Sequence, residues 1–134
     1  MEVRYINLAS KKNSTGTLLI AEGSKQIPFN INRIYHIMDT AANEKRGCHA
    51  HKTFTQVAFC LQGSCKFLLD DGKEKYKVTL NKPECGLLLE PMIWHEIYDF
   101  SENCIISILA DAHYNEEDYI RDYQNFLYLL QNLG

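Results

Sequence analysis

The sequence predicts an all-β fold, a sandwich or barrel of short strands, finished by one C-terminal α-helix. Three observations predict it. Short segments rich in β-branched, aromatic and aliphatic residues follow one another, turn residues separate them, and a helical apolar period appears only after Asn115. The chain has 134 residues, one domain's worth, and no repeat, low-complexity tract or linker divides it. A single domain is expected over 1–134, with the barrel over about 1–112 and the helix over about 115–133.

The elements follow in order. Glu2 to Leu8 reads as a strand that precedes the barrel and needs a sheet edge to cover, which predicts a homodimer joined near the N-terminus. Asn32 to Asp39, Phe54 to Leu61 and Cys65 to Leu69 carry strand-forming residues. Asp71-Gly72 marks a hairpin, because a type I′ turn needs positive φ and glycine adopts it without a steric cost. Beyond it Tyr76, Val78 and Leu80 alternate with Lys75, Lys77 and Thr79, the pattern of a strand with one wet face. Gly86 to Glu90, Ile93 to Phe100 and Cys104 to Ala110 continue the series. Asn115 followed by Glu116, Glu117 and Asp118 reads as a helix start, and Tyr119, Ile120, Tyr123, Phe126, Leu127 and Leu130 recur at helical spacing as a core-facing stripe.

Composition narrows the function. The net charge is −3, and the 14 basic residues are spread along the chain, so no nucleic-acid partner is expected. No apolar stretch follows the first charges, and runs such as Cys104 to Ala110 are too short to span a bilayer. The expectation is a cytoplasmic protein with no membrane partner. The five cysteines, at 48, 60, 65, 85 and 104, form no CxxC pair, and they read as small buried hydrophobes. A zinc cluster is the sharper alternative, which this spacing disfavours.

The segment Lys45-Arg46-Gly47-Cys48-His49-Ala50-His51-Lys52 is where cations and histidines crowd together. In a strand, residues two apart share a face, so His49 and His51 point the same way and Cys48 the other. Two imidazoles side by side in a core are costly unless each is hydrogen-bonded or serves a ligand. The pair is therefore read as the centre of a ligand-binding, catalytic pocket.

This stretch, with Gln56 and Gly63 downstream, resembles the first cupin motif, and Gly86, Pro91 and His95 resemble the second with a shortened interval. The resemblance implies a cupin jelly-roll barrel (a double-stranded β-helix). In metal cupins an acid and three histidines bind the ion. Here Gln56 stands in place of the acid, and a neutral amide is a weak ligand for a divalent cation, so no metal and no cofactor are expected.

Arg33 with Tyr35, the run Arg46 to Lys52, Gly63-Ser64-Cys65, Asp70-Asp71-Gly72, Trp94-His95-Glu96, and Asp118-Tyr119 with Arg121 and Tyr123 together resemble one family, over roughly Ile27 to Phe126. It is the sugar-nucleotide 3,4-ketoisomerases (WxcM-like or FdtA-like cupins), which act on dTDP-4-keto-6-deoxyglucose. The resemblance implies an enzyme moving the ketone from C4 to C3 through an enediol, in the making of deoxyamino sugars for surface glycans. It implies His51 as the base, with His49 as its shuttle or electrophilic partner. His95 or Tyr35 is the candidate donor to the enediolate, and Arg33, Arg46 and Lys52 the candidates for the pyrophosphate. Trp94 is a candidate to stack on thymine or sugar, and equally a core aromatic. A 3- or 3,5-epimerase on the same substrate and a non-catalytic sugar-binding cupin are the alternatives.

Overall fold

The computed structural model describes residues 1–133, so Gly134, the end of the expected domain, lies outside the described residues. Twelve strands run along the chain: β1 Tyr5–Asn7, β2 Ala9–Asn13, β3 Gly16–Ile20, β4 Arg33–Ile37, β5 Arg46–His51, β6 Gln56–Gln62, β7 Cys65–Asp70, β8 Lys75–Leu80, β9 Cys85–Leu89, β10 Trp94–Tyr98, β11 Ile105–Ala110 and β12 Tyr119–Ile120. Among the described residues one α-helix, α1 Tyr123–Gln131, follows them. The strands form two five-stranded sheets, β1-β9-β6-β11-β4 and β12-β5-β10-β7-β8, and β2 and β3 pair apart as a hairpin. Every paired strand is antiparallel to its neighbour. This is a jelly roll of two facing sheets rather than a continuously hydrogen-bonded barrel.

Side-chain alternation explains the layers. On β6, Ala58 and Cys60 face the space between the sheets, where they meet Phe67, Leu69, Leu80, Leu87, Ile97, Ile106 and Ile108. Val57 and Phe59 point the other way, into a second apolar layer made with Ile27, Phe29, Ile31, Ile6 and Leu8. That is why β6 is buried on both faces while β8, with nothing outside it, alternates exposed and buried. Gly86 is held bare by this packing, because a Cβ there would lie 2.4 Å from the Phe59 ring.

Two local expectations differ from the structure. Asp71 and Gly72 do lie between β7 and β8, but the connection runs over four residues, 71–74. Its shape comes from the Asp71 carboxylate accepting from the N–H groups of Lys73 and Glu74. The helix is shorter than 115–133. Asn115 does cap, accepting from Glu117 N–H, but it caps a single 3₁₀ turn, Glu116–Asp118. The chain then pairs as β12 with β5, Tyr119 opposite His51 and Ile120 opposite Ala50. The helix starts anew under an Asp122 cap. Ladder hydrogen bonds and the burial of Asp118 and Ile120 override the helical apolar period at these positions. The second sheet therefore reaches past residue 112 and takes its outermost strand from the tail.

α1 lies over the outer face of that sheet. Phe126 is fully buried against Trp94, Ala50 and Ile120. Truncating such a phenylalanine to alanine costs about 3–5 kcal/mol.

Candidate active site

The two sheets part at one end to leave a cavity of about 350 Å³. β4 contributes Tyr35 and Ile37, β5 contributes Arg46, Gly47 and His49, β10 contributes His95 and Ile97, and β11 contributes Ile108. Tyr119 of β12, with Lys45 and Arg121 from the adjoining loops, completes the wall.

β5 aims its histidines through a bulge. His49 stands opposite His95, but Gly47 stands opposite Glu96, so Cys48 is the extra residue. Gly47 and Cys48 both take left-handed backbone, at φ 79° and 56°. Glycine suits the first of these on two counts, since a Cβ would also meet the His95 carbonyl oxygen at 3.2 Å. Past the bulge, Cys48 and Ala50 pack toward α1, while His49 and His51 turn inward.

The rings form a chain of contacts. The His49 ring centroid lies 4.9 Å from that of His51 and 4.6 Å from that of His95, both edge-on. Tyr119 sits 4.9 Å from His49 and 4.4 Å from His51, and Phe54 stacks on His51 at 5.2 Å. Among the described residues, no hydrogen bond satisfies either ring nitrogen of His49 or His51. Burial holds all three histidines below their ordinary pKa of 6.5. For His51 burial is the main cause, the His49 ring adds to it, the Asp118 carboxylate opposes it, and the result is about 4. At neutral pH these are neutral imidazoles, and those of His49 and His51 keep a free lone pair.

Behind His51 stands Asp118, buried, with Oδ2 3.5 Å from His51 Nδ1. Its oxygens also accept from Thr53 N–H, Thr53 Oγ1 and Phe54 N–H, which fix the carboxylate against the strand end. On the facing sheet, the Tyr35 hydroxyl donates to Gln56 Oε1, and burial raises the Tyr35 pKa so that the phenol stays protonated. The Arg33 guanidinium lies 4.8 Å over the Tyr35 ring, and its Nε and one terminal nitrogen are buried without partners. Arg46 is exposed at the mouth with no carboxylate partner among the described residues. Lys45 is paired with Glu96 at 3.1 Å, and Arg121 with Glu116 at 2.6 Å.

These residues do not fit a metal as the metal cupins hold one. The Gln56 oxygen is occupied by Tyr35, so the position that an acid fills in metal cupins offers no free anionic ligand. Among the described residues, the trio whose donor atoms lie within 4.8 Å of one another is made of cysteines, not of these histidines.

The comparisons with known proteins bear on what this cavity is. The family model FdtA, described as WxcM-like, C-terminal, matches residues 1–131. The chain belongs to this WxcM-like family. A curated relative, TDP-4-oxo-6-deoxy-alpha-D-glucose-3,4-oxoisomerase of Aneurinibacillus thermoaerophilus, is 48% identical over 126 residues, 94% of this chain and 91% of that protein. Among solved structures, a 3,4-ketoisomerase from Helicobacter canadensis superposes with a TM-score of 0.95, with 40% identity and 98% of each chain covered. The ketoisomerase QdtA from Thermoanaerobacterium thermosaccharolyticum, solved as a histidine-to-asparagine variant with TDP-4-keto-6-deoxyglucose, gives 0.95 at 36% identity, over 98% of this chain and 95% of that one. With these WxcM-like relatives the jelly roll of this chain is a cupin fold.

Of the residues proposed from sequence, Tyr35, Arg46, His49 and His95 line the cavity, His51 backs it, and Arg33 flanks it on Tyr35. Two do not join them. Lys52, next after inward-facing His51, is exposed and gives its backbone N–H to the Asp118 carbonyl. Trp94, next before inward-facing His95, lies under α1 with its Nε1–H donated to Glu96. Alternation along β5 and β10 places both off the cavity, so Trp94 is a core aromatic and Lys52 a surface cation. Sequence reasoning gave no site role to Asp118, Tyr119 or Arg121. All three fell in a stretch read as helix, and only its pairing with β5 brings them to the histidines.

Proposed function

We propose that this chain moves the ketone of dTDP-4-keto-6-deoxyglucose from C4 to C3. The observation that carries this reading is His51: an unprotonated imidazole, buried, free at both nitrogens, with a fixed carboxylate behind it. Such a group takes a proton from carbon without first having to lose one, and Asp118 stabilises the imidazolium as it forms. The 48% identical relative that carries this activity in its name supports the substrate.

In this scheme His51 removes the proton at C3, and the electron pair left behind becomes the C3–C4 double bond. The C4 carbonyl oxygen takes a proton, giving the enediol. The O3 proton then leaves, C3 becomes the ketone, and C4 receives a proton. His49, 4.9 Å from His51 by ring centroids, relays between the two carbons. His95 and Tyr35 are the donors toward the enediolate oxygens. Arg46 and Arg33, cations without carboxylate partners, hold the pyrophosphate.

The assembly is a homodimer in this reading. The β2-β3 hairpin pairs only with itself, Leu18 on it is 57% exposed, and the edge strand β4 presents Ile34 at 57%. A second copy covers both. Sedimentation as a monomer at micromolar concentration would overturn the dimer.

The deciding experiment for the chemistry is incubation with dTDP-4-keto-6-deoxyglucose in deuterated water, followed by NMR. A product with its ketone at C3 and deuterium at C4 is expected. A retained C4 ketone with inversion at C3 or C5 would make the protein an epimerase, and unchanged sugar would make it a binding protein.

A further inference from the structure

A second cluster of chemically competent side chains lies at the other end of the sheet interior. Cys60 on β6, Cys65 at the start of β7 and Cys104 just before β11 bring their three sulfurs within 4.8 Å of one another. Cys60 Sγ is 3.7 Å from Cys104 Sγ and 3.3 Å from the Gln62 carbonyl oxygen. All three residues are buried, at 1%, 1% and 6% exposure, and all three are free thiols. Four residues along β6 separate Cys60 from Gln56, about 13 Å at the rise of a strand, so the cluster takes no part in the chemistry proposed above.

We propose that Cys60, Cys65 and Cys104 form a binding site for a thiophilic metal ion of the zinc and cadmium class. Packing alone asks only that each sulfur be surrounded by carbon, and a disulfide engages only two sulfurs. A gathering of three, each from a different segment, is what a shared cation requires. The spacing suits one: tetrahedral zinc with Zn–S of about 2.3 Å holds its sulfurs about 3.8 Å apart, beside 3.7 Å for Cys60 and Cys104. Each ligating sulfur gives up its proton to solvent as the bond to the ion forms. The Gln62 carbonyl stands beside Cys60 as an oxygen for the fourth position. Entry lies through the turns that cover the cluster, where Gln62, Gly63, Glu102 and Asn103 are exposed.

The test is titration of the reduced, full-length protein with Cd²⁺, read by sulfur-to-cadmium charge-transfer absorption, to which histidine ligands do not contribute. One equivalent is expected to saturate the band. The double variant Cys48→Ser/Cys85→Ser keeps only the trio and is expected to keep the band, which makes the result independent of whether core variants fold. Cys104→Ser is expected to weaken Cd²⁺ binding at least tenfold. No band in the wild-type protein, or a band lost in the Cys48/Cys85 double variant, overturns the proposal.

Discussion

Asp118 and His51 stand 67 residues apart in the sequence, yet Asp118 Oδ2 lies 3.5 Å from His51 Nδ1, and the same carboxylate holds the Thr53–Phe54 backbone that follows the histidine. The acid therefore orients the imidazole from two sides, by its charge and by fixing the strand end.

Replacing it tests that relationship. Asp118→Asn keeps an acceptor for Thr53 but removes the charge that stabilises the imidazolium. We expect kcat to fall roughly tenfold or more with KM little changed, the pattern of an interaction realised in the transition state. The acid limb of the rate profile should move to lower pH, since the carboxylate opposes the fall in the His51 pKa. A loss that appears only in KM would assign Asp118 to binding.

His51→Asn retains a hydrogen-bonding side chain that cannot accept a proton at neutral pH. Turnover should drop by about 10²–10⁴-fold while dTDP still binds, and exchange of the C3 hydrogen with deuterated solvent should stop. His49→Asn should also be slow but should still exchange C3. The reverse pattern would exchange the two roles.

The histidines make the fold acid-sensitive. His51 has an ordinary pKa of 6.5 and a folded one of about 4, so the unfolded chain binds the proton more readily. Its contribution is full above pH 6.5 and is lost as the pH falls toward 4, and His49 and His95 shift in the same direction. The His51 shift corresponds to roughly 3 kcal/mol. Urea midpoints measured at pH 7 and pH 5 should show the loss, and His51→Asn should reduce it. Equal midpoints in the wild-type protein would contradict the assignment.

Much of this was legible in the chain. The segment Ile93 to Phe100 that carries His95 was legible in the series of short strands, and the spacing of His49 and His51 put both on one face of a strand, because a strand's alternation is local and survives without tertiary context. The same rule, applied to the neighbours, would have turned Lys52 and Trp94 away from the cavity. The tail was harder to read. Asn115 and the acids after it satisfy the rules for a helix start, and nothing local tells a 3₁₀ turn followed by two strand residues from a first helical turn. Asp118 becomes a site residue only through pairing with a strand far earlier in the chain. The cysteine cluster was hidden in the same way, since spacing along the sequence says little about sulfurs gathered across two sheets.

Arg46 and Lys52 provide a paired test of the phosphate reading. Arg46 lines the cavity mouth, so Arg46→Ala should raise KM for the nucleotide sugar more than it lowers kcat. Lys52 lies outside, so Lys52→Ala should leave both near wild type. Equal effects in the two variants would dissolve the distinction drawn from their geometry.

Turnover should withstand a chelator. The Gln56 oxygen is engaged by Tyr35 rather than offered to an ion. Activity lost with a chelator and restored by one particular metal would show that the histidines bind a cation during the reaction.

The pairing of β12 with β5 also sets an order of events at the ribosome. His49 and His51 leave the tunnel well before Asp118 and Tyr119, and a chain is made from its N-terminus. A nascent chain can thus lay down its sheets while His51 still lacks its neighbouring carboxylate and the cavity one wall. The cavity wall is thus completed by a strand made well after the sheet it joins, and α1, packing over Ala50, Trp94 and Ile120, holds that strand in place.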